Sequence, residues 1–590
     1  MKSLWIYLRP YAGRMAAVMG IKLSATVLEL LIPYVMEHLI DHVVPTGRIW
    51  LAVGWGAVMV GLAVSVRLIN VRANRMSVRT ARDAAYSLRR DLFHAAIGLS
   101  GGQTDRVGLP SLISRMTSDS YNVQSFTQSI QTIGIRAPIM LLGGIGITLV
   151  MDAGLAVILC VMAPIMIALV VFVSMKGIPL YDRVQRGMDD IVRVMRENIT
   201  GIRVVKALSR EKHEKARFAG VNAETARRDV KAGVTMALPG PIVSLFLNVG
   251  LTLVVLIGAR RVNAGATKPG TILAFLTYFN MILMGVMGLN RIFMMMSKAN
   301  ASVRRIQAVT GLPDGLPRLR EEDLDPAPAP EGMLVFDHVS FEYLPDEGGE
   351  SRQDADRFAG QQRQKSLEDV SFAVPRGGSL GIIGATGSGK TTIINLLMRF
   401  YDPQSGRVLV DGKDVRTWDR TELRRRFGVA LQTDVIFADT IRENIVFARD
   451  VDGDGLRAAA GDAMAADFID AYDDGYDHRA VIAGANFSGG QRQRLMVARA
   501  LAARPDILIL DDASSALDYR TDAALRRAIR EHHGEATTVI IAQRCSSVMS
   551  LDRIIVLEEG RIIGQGTHDE LMADCPVYRD ICQTQMGEVV

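Results

Sequence analysis

The sequence predicts a multidomain protein, an all-α domain of six membrane-spanning helices followed by an α/β domain. Three observations carry that reading. Hydrophobic residues make up 49% of the chain and charged residues 22%, with a mean hydropathy of +0.18, an average that suits neither a soluble enzyme nor a pure membrane bundle. The long apolar runs are confined to the part before about residue 300. Beyond about residue 332, short β-type runs alternate with helical patterns, as in an α/β fold. At 590 residues the chain exceeds one ordinary domain. The expected division is a membrane domain over 1–310, a linker over 311–332 and a soluble domain over 333–590. A formal charge of +5 is small for this length, and no basic tract or aromatic-basic stripe points to nucleic acid as a partner. A disordered, collagenous or small secreted protein is excluded as well. Four cysteines, Cys160, Cys545, Cys575 and Cys582, are too scattered for a disulfide framework or a CxxC metal site. Three lie in the soluble half, which implies a reducing compartment.

A bilayer-spanning helix needs roughly 20 mostly apolar residues. Six stretches qualify: Ala16–Val44, Trp50–Ile69, Ile130–Met151, Gly154–Lys176, Leu238–Ala259 and Thr271–Phe293. Met1–Arg14 reads as an amphipathic interfacial lead-in. Two long polar segments, Asn70–Ser129 and Gly177–Ala237, follow the second and fourth spans. Both are helical in pattern and rich in arginine, so the positive-inside bias places them in the cytoplasm as extensions of the spans. Both termini then fall on that side, giving an integral, multi-pass protein expected in a bacterial inner membrane. Charge inside a span is costly and marks a polar pathway or an interface anchor. Glu29, Asn248, Asn280 and, within a methionine-rich sixth span, Met284 are the candidate pathway residues; Glu37 and Arg291 lie near helix ends.

Gly311–Gly332 is rich in proline and acids and reads as a semi-rigid linker. Leu344–Gln364 is polar and reads as a solvated insertion. Beyond it, Gly384-Ala385-Thr386-Gly387-Ser388-Gly389-Lys390-Thr391-Thr392 follows the apolar strand Leu380–Ile383 and opens a helix. This is GxxxxGK[ST] in its strand–loop–helix context. Its backbone N–H groups close around phosphates at a helix N-terminus. Lys390 supplies a cation to the terminal phosphates, and the Thr391 hydroxyl ligates Mg²⁺. A second apolar strand, Ile507–Leu510, ends in Asp511-Asp512, the pattern by which this class holds Mg²⁺.

Between these motifs stands Phe487-Ser488-Gly489-Gly490-Gln491, with Gln432 after the strand Gly428–Leu431 and Asp518 closing Ser515-Ala-Leu-Asp518. Together they resemble the nucleotide-binding domain of ATP-binding cassette (ABC) transporters. Six preceding spans with two long cytoplasmic loops resemble an exporter-type half-transporter, so the resemblance covers nearly the whole chain. It implies a P-loop domain with an ABC-type helical subdomain, ATP and Mg²⁺ as cofactors, and transport-coupled ATPase activity. It also implies a dimer in which each ATP lies between one chain's phosphate loop and the other's SGGQ. Tyr343 matches the residue that stacks on adenine. Gln432 matches the one that senses Mg²⁺ and water, making Thr391, Gln432 and Asp511 the Mg²⁺ set. Ser488, Gly489, Gly490, Gln491 and Asp518 would act on the partner's ATP. Loop-tip helices around Ser111–Asn122 and Ser209–Phe218 would contact the cassettes.

Two positions depart from the family pattern. Where a glutamate usually serves as general base stands Asp512, whose carboxylate lies roughly 1.5 Å further back. Where a histidine usually switches stands Gln543, an amide that does not titrate. These imply a site that binds ATP but cleaves it weakly, within a heterodimer whose partner carries the competent base and borrows this chain's SGGQ. Substrates would be small amphipathic molecules, drugs or lipids, taken from a lipid environment. An importer on the same scaffold, a slow homodimeric exporter and a non-transporting regulatory ATPase are the alternatives.

Overall fold

The computed structural model describes residues 2–323, 330–343, 365–432 and 435–586. The insertion at 344–364 and part of the linker lie outside the described residues. The chain separates into two compact units, Met1–Ala96 with Leu112–Gly311, and Ile97–Ser111 with Leu312–Val590.

The first unit is all helical. Its long helices are α1 (Ala12–His38), α2 (Ile49–Gly98), α4 (Ser120–Met151), α5 (Ala153–Thr200), α6 (Glu211–Ala237), α7 (Pro239–Asn263) and α8 (Pro269–Thr310). The number α3 belongs to a short helix, Gly101–Val107, in the second unit. Among the described residues five helical stretches are long and apolar enough to cross a bilayer, and Ala153–Leu169 supplies the apolar start of a sixth. From the second span α2 runs unbroken into its polar segment as far as Gly98, and from the fourth α5 runs on as far as Thr200. Small residues let α4 and α8 touch through their backbones: a Cβ on Gly285 would stand 2.8 Å from the Ala137 carbonyl oxygen. Two buried carboxylates fix helix starts by accepting orphan N–H groups. Asp41 accepts from Gly270 and Thr271 at the start of α8, and Asp152 accepts from Leu155 at the start of α5 while pairing with Arg261.

The second unit is α/β. An antiparallel sheet of order β2-β1-β4-β5 is built from Leu367–Val374, Leu334–Phe341, Ser405–Val410 and Lys413–Asp414. A six-stranded sheet has the order β10-β9-β3-β8-β7-β6, from Arg561–Gly566, Arg553–Glu558, Ser379–Gly384, Thr537–Ile541, Ile507–Asp511 and Phe427–Ala430. All but β10 run parallel. Strands covered on both faces need continuous apolar runs, and every residue of β7 and β8 is buried. One core lies between the sheets, with Phe336 stacked on Phe372. A second lies under the helical subdomain, which includes Ile441–Val446, Gly453–Asp462 and α10 (Gly489–Leu501). The phosphate-loop helix is α9 (Lys390–Leu397), and α11 (Tyr519–His532) follows β7.

The loop-tip helix held by the cassette unit is α3, capped by Ser100, rather than Ser111–Asn122. Gly101 N–H donates to Phe400 O, the Tyr401 hydroxyl donates to Asp105, and Gln103 donates to Pro313 O. Only glycine fits at 101, because a Cβ there would lie 2.7 Å from the Tyr401 ring. Residues 111–122 instead lead into α4, and Asp119 pairs with Arg305 and Ser302 inside the membrane unit. Ser209–Phe218 spans the start of α6 and is largely exposed.

Candidate functional site: a phosphate loop at the carboxyl ends of four parallel strands

In an open parallel sheet, ligands bind beyond the carboxyl ends of the strands. Four neighbouring strands end on the same edge here. β3 delivers Gly384 and the phosphate loop, β6 leads to Gln432, β7 ends in Asp511 and Asp512, and β8 leads to Gln543. A cavity of about 270 Å³ gathers them, lined by Tyr343, Thr386, Gly387, Gly389, Lys390, Thr391, Thr392, Gln432, Asp511, Asp512 and Gln543 among others. Residues from five separate stretches of sequence thus meet in one pocket.

The loop's glycines are needed where the chain passes closely. Gly389 has φ +102°, and a Cβ there would stand 2.5 Å from the Ser366 carbonyl oxygen. Lys390 donates to Gly384 O and Ala385 O at 2.8 and 2.7 Å, lying across its own loop. Burial lowers its pKa despite the opposing pull of Asp511 and Asp512. Tyr343 is fixed at its hydroxyl, which accepts from Asn395 at 2.8 Å and donates to Thr392 at 3.4 Å. Its ring meets Phe341 and Tyr401 edge-on. Asn395 was not singled out in the sequence, since an asparagine one turn into a helix carries no signal by itself.

Thr391 donates to Asp511 at 3.2 Å, and Gln432 lines the same pocket. Hydroxyl, carboxylate and amide oxygens form the hard donor set that Mg²⁺ takes. Burial raises the Asp511 carboxyl pKa, with the neighbouring Asp512 adding to it. Asp512 is half-buried, its pKa raised by the same cause. It sits at φ +52°, a left-handed conformation that aspartate tolerates better than most residues. Its backbone is held from two sides: its N–H donates to Ile541 O at 2.9 Å, and its carbonyl accepts from Gln493 at 3.3 Å. The two departing positions touch, with the Gln543 amide donating to Asp512 Oδ2 at 3.2 Å.

Ser488, Gly489, Gly490, Gln491 and Asp518 do not line this pocket. Ser488 caps α10 through a reciprocal capping box with Gln491, at 3.2 and 2.8 Å. Phe487 is buried against Phe468 and Tyr472. Asp518 caps α11, accepting from the Thr521 N–H and hydroxyl, which hold its carboxyl below the usual range.

In the membrane unit, Glu29 pairs with Arg136 at 2.7 Å. Lys22, buried in the same helix as Glu29, donates to Asn70 and Asn74. Neither cation was flagged in the sequence, because each sits alone in an apolar run. Asn248 and Asn280 donate to carbonyls four residues back in their own helices, and Met284 is 64% exposed.

The cysteine reading requires correction. Cys545 and Cys582 are bonded, with Cα atoms 5.4 Å apart, although 37 residues separate them in sequence. The fold brings together what spacing alone disperses.

Residues 15–287 match the ABC transporter transmembrane region family, and residues 367–515 match the ABC transporter family. An uncharacterised ABC transporter ATP-binding protein of Mycobacterium tuberculosis is 33% identical over 98% of this chain and 97% of its own length. An ATP-dependent lipid A-core flippase of Chromohalobacter salexigens is 31% identical over 86% of this chain and 84% of its own. A solved bacterial Atm1-family ABC exporter with ATP bound shares the fold, with a TM-score of 0.78, 24% identity, and coverage of 98% of this chain and 100% of that one. Helical membrane unit, phosphate loop and full-length likeness converge: this chain belongs to the ABC transporter family, as a multi-pass membrane protein whose ATP-binding cassette is an ATPase coupled to transport.

Proposed function

We propose that this chain is the weakly hydrolysing half of a heterodimeric exporter of small amphipathic molecules. The observation that carries the reading is the contact between Gln543 and Asp512. The carboxylate that would polarise water is short by one methylene, and the amide that replaces the switch histidine holds it.

The intact elements bind nucleotide. The loop N–H groups and Lys390 hold the phosphates, Tyr343 stacks on adenine, and Thr391, Asp511 and Gln432 hold Mg²⁺, which when bound neutralises phosphate charge. Asp512 reaches water poorly, so ATP stays whole for long periods and keeps the two cassettes together. Ser488, Gly489, Gly490 and Gln491, presented at the N-terminus of α10, complete the partner's site in trans together with Asp518, which caps α11. ATP-driven closure shifts the membrane halves between two packed states, and hydrolysis on the partner resets them. The flippase relative supports an amphipathic cargo, and the Glu29–Arg136 pair would give the apolar pathway a polar foothold. A bacterial inner membrane fits the organisms of the relatives.

The test is ATPase activity of the purified pair. Asp512→Ala should leave it largely intact, whereas Ser488→Ala should lower it sharply. Equal loss from both would reject the division of labour, and brisk turnover by this chain as a self-pair would reject the heterodimer.

A further inference from the structure

Cys545 and Cys582 are both fully buried and joined as a disulfide. Cys545 opens the short helix Cys545–Val548, immediately after Gln543-Arg544 at the end of β8. Cys582 lies on the last helix, Pro576–Met586. One turn beyond Cys582, Gln585 accepts from the Cys545 N–H at 2.7 Å and donates to the Gln543 carbonyl at 2.8 Å. The last helix is therefore tied to Cys545 by one covalent and one hydrogen bond, and to the Gln543 carbonyl by a second hydrogen bond. Gln543 in turn reaches the pocket through Asp512. The third cysteine nearby, Cys575, is buried but unbonded.

We propose that Cys545 and Cys582 form a redox site that clamps the last helix onto the segment carrying Gln543, and so slows nucleotide release from this chain's pocket. This rests on the reading that the pocket holds ATP. Disulfides in a reducing compartment are usually catalytic or redox-sensing rather than structural, and this one joins the helix Pro576–Met586 to the segment that carries Gln543. The oxidant is a small peroxide. One thiolate attacks a peroxide oxygen, the O–O bond breaks, and a sulfenic acid and hydroxide form. The second thiol then displaces the sulfenic oxygen as water. Two thiols thus lose two electrons and two protons, and hydrogen peroxide becomes two waters. A dithiol reductant reverses the bond by exchange. Both sulfurs are covered by the helix Pro576–Met586, whose Tyr578 hydroxyl lies 3.6 Å from the Cys545 sulfur, so reaction occurs when that helix swings away.

The experiment uses the full chain in lipid nanodiscs, treated with hydrogen peroxide or with dithiothreitol. Three readouts follow: thiols counted by maleimide after denaturation, trypsin cleavage at Arg579 in the last helix, and dissociation of a fluorescent ATP analogue. Of the four cysteines, the oxidised chain should show two reactive thiols and the reduced chain four. Cleavage at Arg579 should be slowed by oxidation. The analogue should leave about tenfold more slowly from the oxidised chain, the equivalent of roughly one net hydrogen bond. Cys582→Ala and Cys582→Ser should both behave like the reduced chain whatever the treatment, while Cys575→Ser should keep the full response. Four free thiols after peroxide, or equal dissociation rates in the two states, would overturn the proposal. So would stoichiometric zinc in the untreated protein, since the ligand atoms of Cys545, His568 and Cys582 lie within 4.8 Å of one another and a metal would occupy the same sulfurs. If neither state binds the analogue, the ATP-holding reading fails by itself; the thiol count and Arg579 protection still decide whether the clamp exists.

Discussion

Replacing Asp512 by glutamate together with Gln543 by histidine should raise hydrolysis at this chain's own site by about 100-fold. The magnitude follows from what can and cannot move. The Asp512 backbone is pinned by its N–H to Ile541 O at 2.9 Å and by Gln493 on its carbonyl at 3.3 Å, so the main chain does not advance to compensate for a short side chain. One added methylene extends reach by roughly 1.5 Å. Misplacement on the scale of about 1 Å costs about 100-fold, or about 2.7 kcal/mol at 1.36 kcal/mol per decade. The second substitution removes the amide that donates to Asp512 Oδ2. A cost accompanies the gain, because position 512 lies at φ +52° and glutamate tolerates that region less well than aspartate. The double variant should therefore lose about 1 kcal/mol of stability while gaining activity. The assay is single-turnover hydrolysis of γ-labelled ATP in nanodiscs, with the chain alone and assembled with its partner after removal of the partner's base. Unchanged cleavage in a variant that folds and binds ATP normally would refute the geometric argument.

Three further outcomes are expected. Burial raises the carboxyls of both Asp511 and Asp512 above the usual value near 3.9. Mg²⁺ needs the ionised form, so the part of ATP affinity that EDTA removes should fall on acidification at a higher pH than an exposed aspartate would allow. A Mg²⁺-dependent gain that persists down to the pH at which an exposed aspartate protonates would contradict this. Gly101→Ala should destabilise the cassette by about 1–3 kcal/mol through overpacking against Tyr401, seen as a lower thermal midpoint; an unchanged midpoint would count against that packing. Ser488→Ala should cost about 1 kcal/mol through loss of the α10 cap, whereas Ser488→Asn keeps the cap. Both should depress the pair's ATPase, and recovery of activity with asparagine would reduce Ser488 to a structural cap.

Most of the membrane helices and the nucleotide pocket were legible in the sequence because their signals are local. Runs of apolar residues mark spans, and Gly384–Thr392 carries its loop, helix and cation in nine consecutive positions. Strand endings did similar service, since Asp511 and Gln543 each follow a short apolar run and parallel strands bring such endings to one edge. What stayed hidden depends on tertiary approach. Helix α3 is seven residues long, too short for a periodic pattern, so the docked loop tip was placed about ten residues late. Lys22 and Arg136 look like isolated charges until packing gives them Asn70, Asn74 and Glu29. The Cys545–Cys582 bond joins segments on either side of β9 and β10, and no spacing rule signals it. Gln493 sits in an ordinary-looking helix, yet it bonds Asp512, Ser515 and Ala516 and so shapes the loop that carries the carboxylate.

The most direct test asks which form of nucleotide each subunit holds during turnover. The assembled pair would be run to steady state with a photoreactive, α-labelled ATP analogue, crosslinked by light and separated into subunits. The nucleotide attached to this chain should remain predominantly triphosphate, while the partner carries diphosphate. Diphosphate in equal proportion on both subunits would contradict a pocket built to hold ATP rather than split it.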